Sequence, residues 1–294
     1  MKRNIYLLFA ICFAVLLAGC QSTPAEADRP WPETVVFSNL QDEASRKLAA
    51  QLLEISSSQE QASVFFSHVD QINRFLEPQE LADGFEEVPI SLPKYDPYDI
   101  QARWETEFPD FLGYNCRITA FSLFRDLISL PAEASGTADY IMMDLLALEA
   151  DPSAIPDEAG QAAFQALYTG IETENTKDIS VHLANLQNAW KERGISFQDS
   201  DASLISVVLH DQLDGDRLFI GHTGILYEAG EEELYFLEKV AFQEPYQLVK
   251  ISNRSELSDY LMAKYDVDFN QPTAAPFILE NDQLIEGYRC HGNA

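Results

Sequence analysis

The order in which two textures follow one another constrains this chain most. Up to about residue 198 apolar residues recur at helical intervals, and from residue 203 they alternate as they do in strands. Leu48, Leu52, Leu53 and Ile55, then Phe65, Phe66, Val69, Ile72, Phe75 and Leu76, make residues 41–83 helical. A loop rich in Pro, Tyr and Asp follows (Val88 to Asp99), then a short helix near 99–107 and a further one opening at Cys116 and stopping before Pro131. Residues 139–149, 158–170 and 176–193 read as helices, the last on a stripe of Ile179, Leu183, Leu186 and Trp190. SLISVVLHDQ, RLFIGHTGILYE, ELYFLEKVAF and YQLVKIS then read as successive strands, the first two joined by an Asp214-Gly215 turn. A final helix spans 254–265, with Asn253 and Glu256 in a capping-box pattern, and the tail from Asn270 to Ala294 reads as irregular. Helices first and an antiparallel meander last give an α+β fold, not alternating βαβ units. N-terminal helices are expected to pack on the C-terminal antiparallel sheet, with residues 131–198 as a helical insertion.

The first residues carry an address. Lys2 and Arg3 precede an apolar run from Ile5 to Leu17, and Leu17-Ala18-Gly19 leads into Cys20. A basic start, a short apolar core and small residues before a cysteine make 1–19 a lipoprotein signal peptide, with Cys20 as the lipidated residue. The run is too short for an ordinary spanning helix. The expected protein is therefore extracytoplasmic and held on the cell membrane by lipid, since an acylated cysteine anchors without a span. Residues 20–34, rich in Pro, Ala and acids beyond Cys20, read as a tether. About 260 residues remain, enough for one domain (35–294) with its own core.

Charge and cysteine count narrow the partners. The chain has 19 basic and 48 acidic residues; loss of Lys2 and Arg3 with the signal leaves 17 against 48, a net of −31. Such a body is repelled by nucleic acid, so no nucleic-acid partner is expected. Of four cysteines, Cys12 leaves with the signal and Cys20 takes lipid, so Cys116 and Cys290 remain. Two cysteines in an exported protein suggest a disulfide. That reading stands beside a catalytic one.

The catalytic reading starts from GYNCRITAFSLFRDLISL, Gly113 to Leu130. Asn115 suits an N-cap, which puts Cys116 at the first helical position, where free N–H groups and the helix dipole favour a thiolate. In the second strand Leu218, Ile220, His222, Gly224 and Leu226 share a face by parity; in the third, Leu234, Phe236, Glu238, Val240 and Phe242 do. His222 and Glu238 interrupt these apolar faces, and polar groups there need partners. A short turn at Ala229-Gly230-Glu231 would pair Glu228 with Glu232 and set His222 directly opposite Glu238. Cys116, His222 and Glu238 would then be nucleophile, base and orienter. The Cys116 N–H with Asn115 or Tyr114 would form the oxyanion hole. The alternative for the same residues is a Cys116–Cys290 disulfide beside a buried His222–Glu238 pair. His68, His182 and His210 read as structural or solvated. Metal-type spacing, a phosphate loop and a G-x-S-x-G elbow are missing from the sequence, so neither metal nor cofactor is expected.

YNCRITAFSL, ENTKDISVHL, FIGHTGIL, FLEKVAFQEPYQ, SDYLMAKYDVDFNQPTAAPFI and LIEGYR together resemble an uncharacterised family of bacterial surface lipoproteins, domain of unknown function 4300. That resemblance implies a surface lipoprotein and no established activity. More loosely, a cysteine opening a helix, His-x-Gly-Ile on a strand and an acid on the next is similar to papain-like cell-wall cysteine peptidases and amidases. This second likeness implies a papain-like core and the roles given above to Cys116, His222 and Glu238. Two features depart from it: the helical insertion makes the Cys-to-His interval long, and the segment before Cys116 lacks the usual Asp or Gln. The expected function is a membrane-anchored cysteine hydrolase, a peptidase or amidase acting on peptidoglycan peptides. Its alternative is a non-enzymatic surface lipoprotein binding a ligand or a surface protein on the same fold.

Overall fold

The computed structural model describes residues 29–91, 93–131, 136–230, 233–268 and 270–290. The expected signal peptide and Cys20 lie outside the described residues. In chain order the elements are β1 (Thr34–Ser38), α1 (Glu43–Ser56), α2 (Gln59–Asn73), β2 (Glu86–Pro89), α3 (Pro97–Glu105), α4 (Cys116–Phe124), β3 (Ile128–Ser129), α5 (Met142–Ala150), α6 (Glu158–Tyr168), β4 (Ile171–Glu172), α7 (Ile179–Glu192), β5 (Ser196–Phe197), β6 (Ala202–Asp211), β7 (Arg217–Glu228), β8 (Leu234–Lys239), β9 (Tyr246–Ile251), α8 (Arg254–Tyr265), β10 (Phe277–Glu280) and β11 (Gln283–Leu284). The protein is a mixed α and β fold built on a large antiparallel sheet.

Among the described residues that sheet runs β11-β10-β6-β7-β8-β9-β1-β2, with β4 added to β7 outside this path. The meander β6 to β9 is the part that alternation predicts. The rest corrects the expectation. The tail is not irregular: β10 pairs with β6 along Phe277↔Val208 to Glu280↔Ile205. β1 pairs with β9, and β2 with β1, so the segment beside the expected tether closes the other flank. These strands have four or five residues, too few for alternation to stand out.

The sheet has two covered faces. Leu204, Val208, Leu218, Ile220, Ile225, Tyr227 and Leu237 pack with the helical layer that includes Phe121, Phe164 and Trp190. Ile205, Val207, Leu226, Phe236 and Val249 pack with Leu257, Tyr260, Leu261 and Met262 of α8. Side-chain caps fix where seven of the eight described helices begin; α5 has none. Asp42, Ser58, Asp96, Asn115, Asp157, Asp178 and Asn253 each accept a backbone N–H in the first turn. Glu256 completes its box one residue early, on the Ser252 N–H rather than on Asn253.

Parity fails once, and the failure matters. Register in β6–β7 shifts between Val207↔His222 and Val208↔Ile220, leaving Gly221 as the extra residue of a bulge. A Cβ at Gly221 would lie 2.4 Å from Leu209 Cδ1, so any side chain there would have to displace Leu209. The bulge splits the face expected for residues 218–226. Leu218 and Ile220 turn to the helical layer, while Leu226 turns to α8.

The residues preceding β1 lie against α8 and the last described residues. Asp259, buried, accepts Arg29 Nε at 2.6 Å and Arg289 Nη2 at 2.8 Å, and Arg289 sits 4.0 Å over the Trp31 ring. The final described segment is thus part of the body. Phe277→Ala should cost about 3–5 kcal/mol through the cavity left in the core. Urea unfolding at constant slope measures it, and a loss under about 1 kcal/mol would mean that β10 does not share the core.

Candidate active site

α4 begins where the sheet has a notch. β8 pairs with β7 only from Gly224↔Glu238 to Glu228↔Leu234, and β4 pairs with β7 only at Arg217 and Leu218. Between them, on the same edge of β7, lie residues 219–223. The N-terminus of α4 fills this interval. Arg117 Nη1 donates to the Ile220 carbonyl at 3.0 Å, and the Thr223 N–H points to the Cys116 sulfur. Gly113, at φ +85°, brings the preceding chain against the Phe242 carbonyl after β8, where a Cβ would lie 3.2 Å from that oxygen.

Asn115 caps the helix: its Oδ1 accepts the Ile118 N–H at 3.1 Å, which leaves Cys116 as the first helical residue. Its N–H lies among the four donors that the helical ladder leaves open. Cys116 carries a free thiol and is 5% exposed. Cys290 packs elsewhere, beside the α8-side cluster. No Cys116–Cys290 bridge is formed.

His222 and Glu238 meet, but not as direct opposites. The β7–β8 connection is two residues longer than the expected turn, so Gly224 rather than His222 faces Glu238 and Glu228 pairs with Leu234. Glu231 and Glu232 of the expected turn lie outside the described residues. A slip of two preserves the face that a slip of one would reverse. His222 and Glu238 become diagonal neighbours, and His222 Nε2 lies 2.6 Å from Glu238 Oε2. Both side chains are 1% exposed or less.

Every polar edge of Glu238 is engaged. Tyr260 donates its hydroxyl to Oε1, and Lys264 Nζ lies 3.6 Å from the same oxygen and donates to the Tyr260 hydroxyl at 3.0 Å. Burial raises the carboxyl, but Lys264, His222 and Tyr260 outweigh it and hold Glu238 down at about 2. His222 carries the reverse balance. Burial lowers it, while the Cys116 charge and the hydrogen-bonded Glu238 carboxylate push it up to about 9. Burial raises the Cys116 thiol, yet the His222 imidazolium, Arg117 and the Thr223 N–H bring it below its ordinary value. With Nε2 held by Glu238, Nδ1 is the ring nitrogen left for the sulfur. No hydrogen bond of ordinary geometry is closed there, so this contact is an electrostatic pairing. Tyr265 stacks on the imidazole, 5.1 Å between centroids and 22° between planes.

Of the two expected oxyanion donors, Tyr114 spends its single hydroxyl proton on the Asp151 carbonyl at 2.8 Å. Asn115 Nδ2 donates to Asp144 Oδ1 at 2.8 Å and keeps a second N–H. The other histidines among the described residues are built in. His182 and His210 lie 4.6 Å apart, with hydrogen bonds to Thr173 and Thr176 and to Asp216 and Ala274 respectively, and His68 reaches Ser153. Parity and capping point to Cys116, His222 and Glu238. Tyr260, Lys264, Arg117 and Asp144 are missed, because nothing local in α8 or α5 marks a contact with a residue 22 or 27 positions away.

An activated cysteine beside an imidazolium, itself oriented by a carboxylate, can attack a carbonyl carbon and protonate a leaving group. The linked titrations set the pH response. His222, raised in the fold, contributes stability that is complete below its ordinary range near 6.5 and lost as pH climbs through about 9. Glu238, lowered, contributes stability that is complete above about 4.5 and lost as pH falls toward 2. Both contributions are whole between these limits. Glu238→Gln should flatten the acid limb of stability and slow Cys116 alkylation at pH 6 by about tenfold, as the imidazolium loses its anion. An unchanged alkylation profile would remove Glu238 from the constellation.

No curated protein and no solved structure is detectably similar to the chain. A family model matches residues 36–285, and by that match the chain belongs to the family described as a domain of unknown function, DUF4300.

Proposed function

We propose that this protein is a lipid-anchored extracytoplasmic cysteine hydrolase with a papain-like arrangement, cleaving amide bonds through an acyl-thioester. The observation that carries the reading is the thiol of Cys116 at the first position of α4, paired with His222, whose Nε2 is held 2.6 Å from Glu238. The Cys116 thiolate attacks the amide carbon and a C–S bond forms. The His222 imidazolium gives its proton to the nitrogen as the C–N bond breaks and the amine leaves. Neutral His222 then takes a proton from water as it attacks the thioester, and the C–S bond breaks to return thiolate and imidazolium. Glu238 stays ionised throughout and orients the ring. The Cys116 N–H and the second N–H of Asn115 would receive the developing oxyanion.

Peptides of the cell wall are the substrate class that fits a lipidated Cys20 at the head of the chain. A second reading, a lipoprotein that binds a ligand or surface protein on the same fold, draws support from the burial of Cys116 and His222 at 5% and 1%. The two readings separate on reactivity. In the unreduced domain without its lipid, iodoacetamide should label Cys116 rapidly down to about pH 6, well below the ordinary thiol range near 8.5. Cys116→Ala and His222→Ala should each lower hydrolysis of muropeptides by about a thousandfold or more. A Cys116 that labels only above pH 8 would leave the binding reading. Recovery of a Cys20→Ala variant in the membrane fraction would remove the anchor.

A further inference from the structure

Arg117 follows Cys116 in α4, and nothing in the triad reading requires it. Its guanidinium makes a fork on Asp144, Nε to Oδ1 at 2.9 Å and Nη2 to Oδ2 at 2.6 Å, while Nη1 reaches the Ile220 carbonyl at 3.0 Å. Asp144 of α5 is 0% exposed and Arg117 12%. A buried pair of this kind returns little net stability against a well-packed apolar pair, so its retention calls for another reason. Position supplies one. Ile220 stands just before the bulge at Gly221, and His222 just after it. The guanidinium therefore ties the helix bearing the nucleophile to the strand bearing the base, at the point where that strand turns.

We propose that Arg117 is a positioning residue: a permanent second cation for the Cys116 sulfur and, through Ile220, the pin that sets the helix N-terminus against the strand carrying His222. The proposal rests on the hydrolase reading above. An imidazolium is a cation only while it keeps its proton, and in each turnover it gives that proton away. A guanidinium does not titrate in this range. Arg117 keeps the sulfur in a positive field when His222 is neutral. Asp144 sets how much of that field the sulfur feels. Its second role is to accept the Asn115 amide, so one carboxylate orients both the cap and the cation.

The other ionisable groups around the sulfur come from every packed element: His222 of β7, Glu238 and Lys239 of β8, Asp144 of α5, Tyr168 of α6 and Tyr265 of α8. Lys239 is a further buried amine there, brought down to about 7 by its burial. Its Nζ is enclosed by the carbonyls of Ala241, Phe242 and Glu244. Arg117 is the cation that also touches β7.

The test is the pH profile of iodoacetamide labelling of Cys116 in the lipid-free chain, read by mass, for Arg117→Met, Arg117→Lys and Asp144→Asn. With the cation removed, Arg117→Met should label about tenfold more slowly at pH 6, its profile moved up by about one pH unit. Arg117→Lys keeps the charge without the fork and should fall between Met and the parent. Asp144→Asn unbalances the guanidinium and should move the profile the other way, labelling several-fold faster at pH 6. Profiles for Arg117→Met and Asp144→Asn within twofold of the parent, or shifted in the same direction, would overturn the proposal. Should Arg117→Met fail to fold, the opposed shifts of Arg117→Lys and Asp144→Asn decide it. A parent protein whose thiol titrates in the ordinary range near 8.5 would instead defeat the hydrolase reading itself.

Discussion

A carboxylate sunk into a sheet has to be answered from every side, and Glu238 organises much of this molecule around that requirement. An isolated buried anion is far too costly to keep. Here one oxygen takes His222 and the other takes Tyr260, with Lys264 behind it. Those partners come from a strand and a helix on the same face, so α8 has to lie where it does. His222 must also turn toward that face, although Leu218 and Ile220 of the same strand face the other way. The bulge at Gly221 is how the chain meets both demands. A single glycine thus reconciles the packing of one core with the electrostatics of another.

The nucleophile arrives from the opposite layer. α4 packs on the face away from α8, yet its first residue senses a histidine on the α8 side. This is feasible because β8 is short. Its last paired residue beyond Glu238 is Lys239, which folds its ammonium onto the carbonyls of the turn that follows. The strand stops, the edge of β7 opens, and a helix N-terminus with unsatisfied N–H groups occupies the opening. Cys116 and Arg117 reach the same length of β7 because they are consecutive residues on the first turn.

Much of this is readable in the chain, and the unread parts share a cause. Alternation finds β6 to β9, and β7 begins and ends where RLFIGHTGILYE does. Asn115 and Asn253 mark two helix starts from chemistry confined to four residues. His222 and Glu238 declare themselves as polar intrusions on apolar faces. Strands β1, β2 and β10 do not, because each is a few residues long and is held by partners far away in sequence. The register of β7 on β8 is missed by two residues because a turn written with Gly230 is compatible with more than one loop length. The bulge has only a glycine to signal it. Tyr260 and Lys264 fall on a helix whose own pattern is explained by its core contacts, so nothing there announces a second task.

The meeting of Arg29, Asp259 and Arg289 has a topological consequence. Arg289 donates to the Arg29 carbonyl while both guanidinium groups hold one carboxylate, so the two ends of the described chain touch. A fold whose described ends are in contact is nearly a ring. Joining those ends with a short linker would cost little closure entropy, and the ring could be reopened at an exposed connection such as the Asp214-Gly215 turn without changing which residues meet. The neighbours of Cys116, His222 and Glu238 are set by the ring.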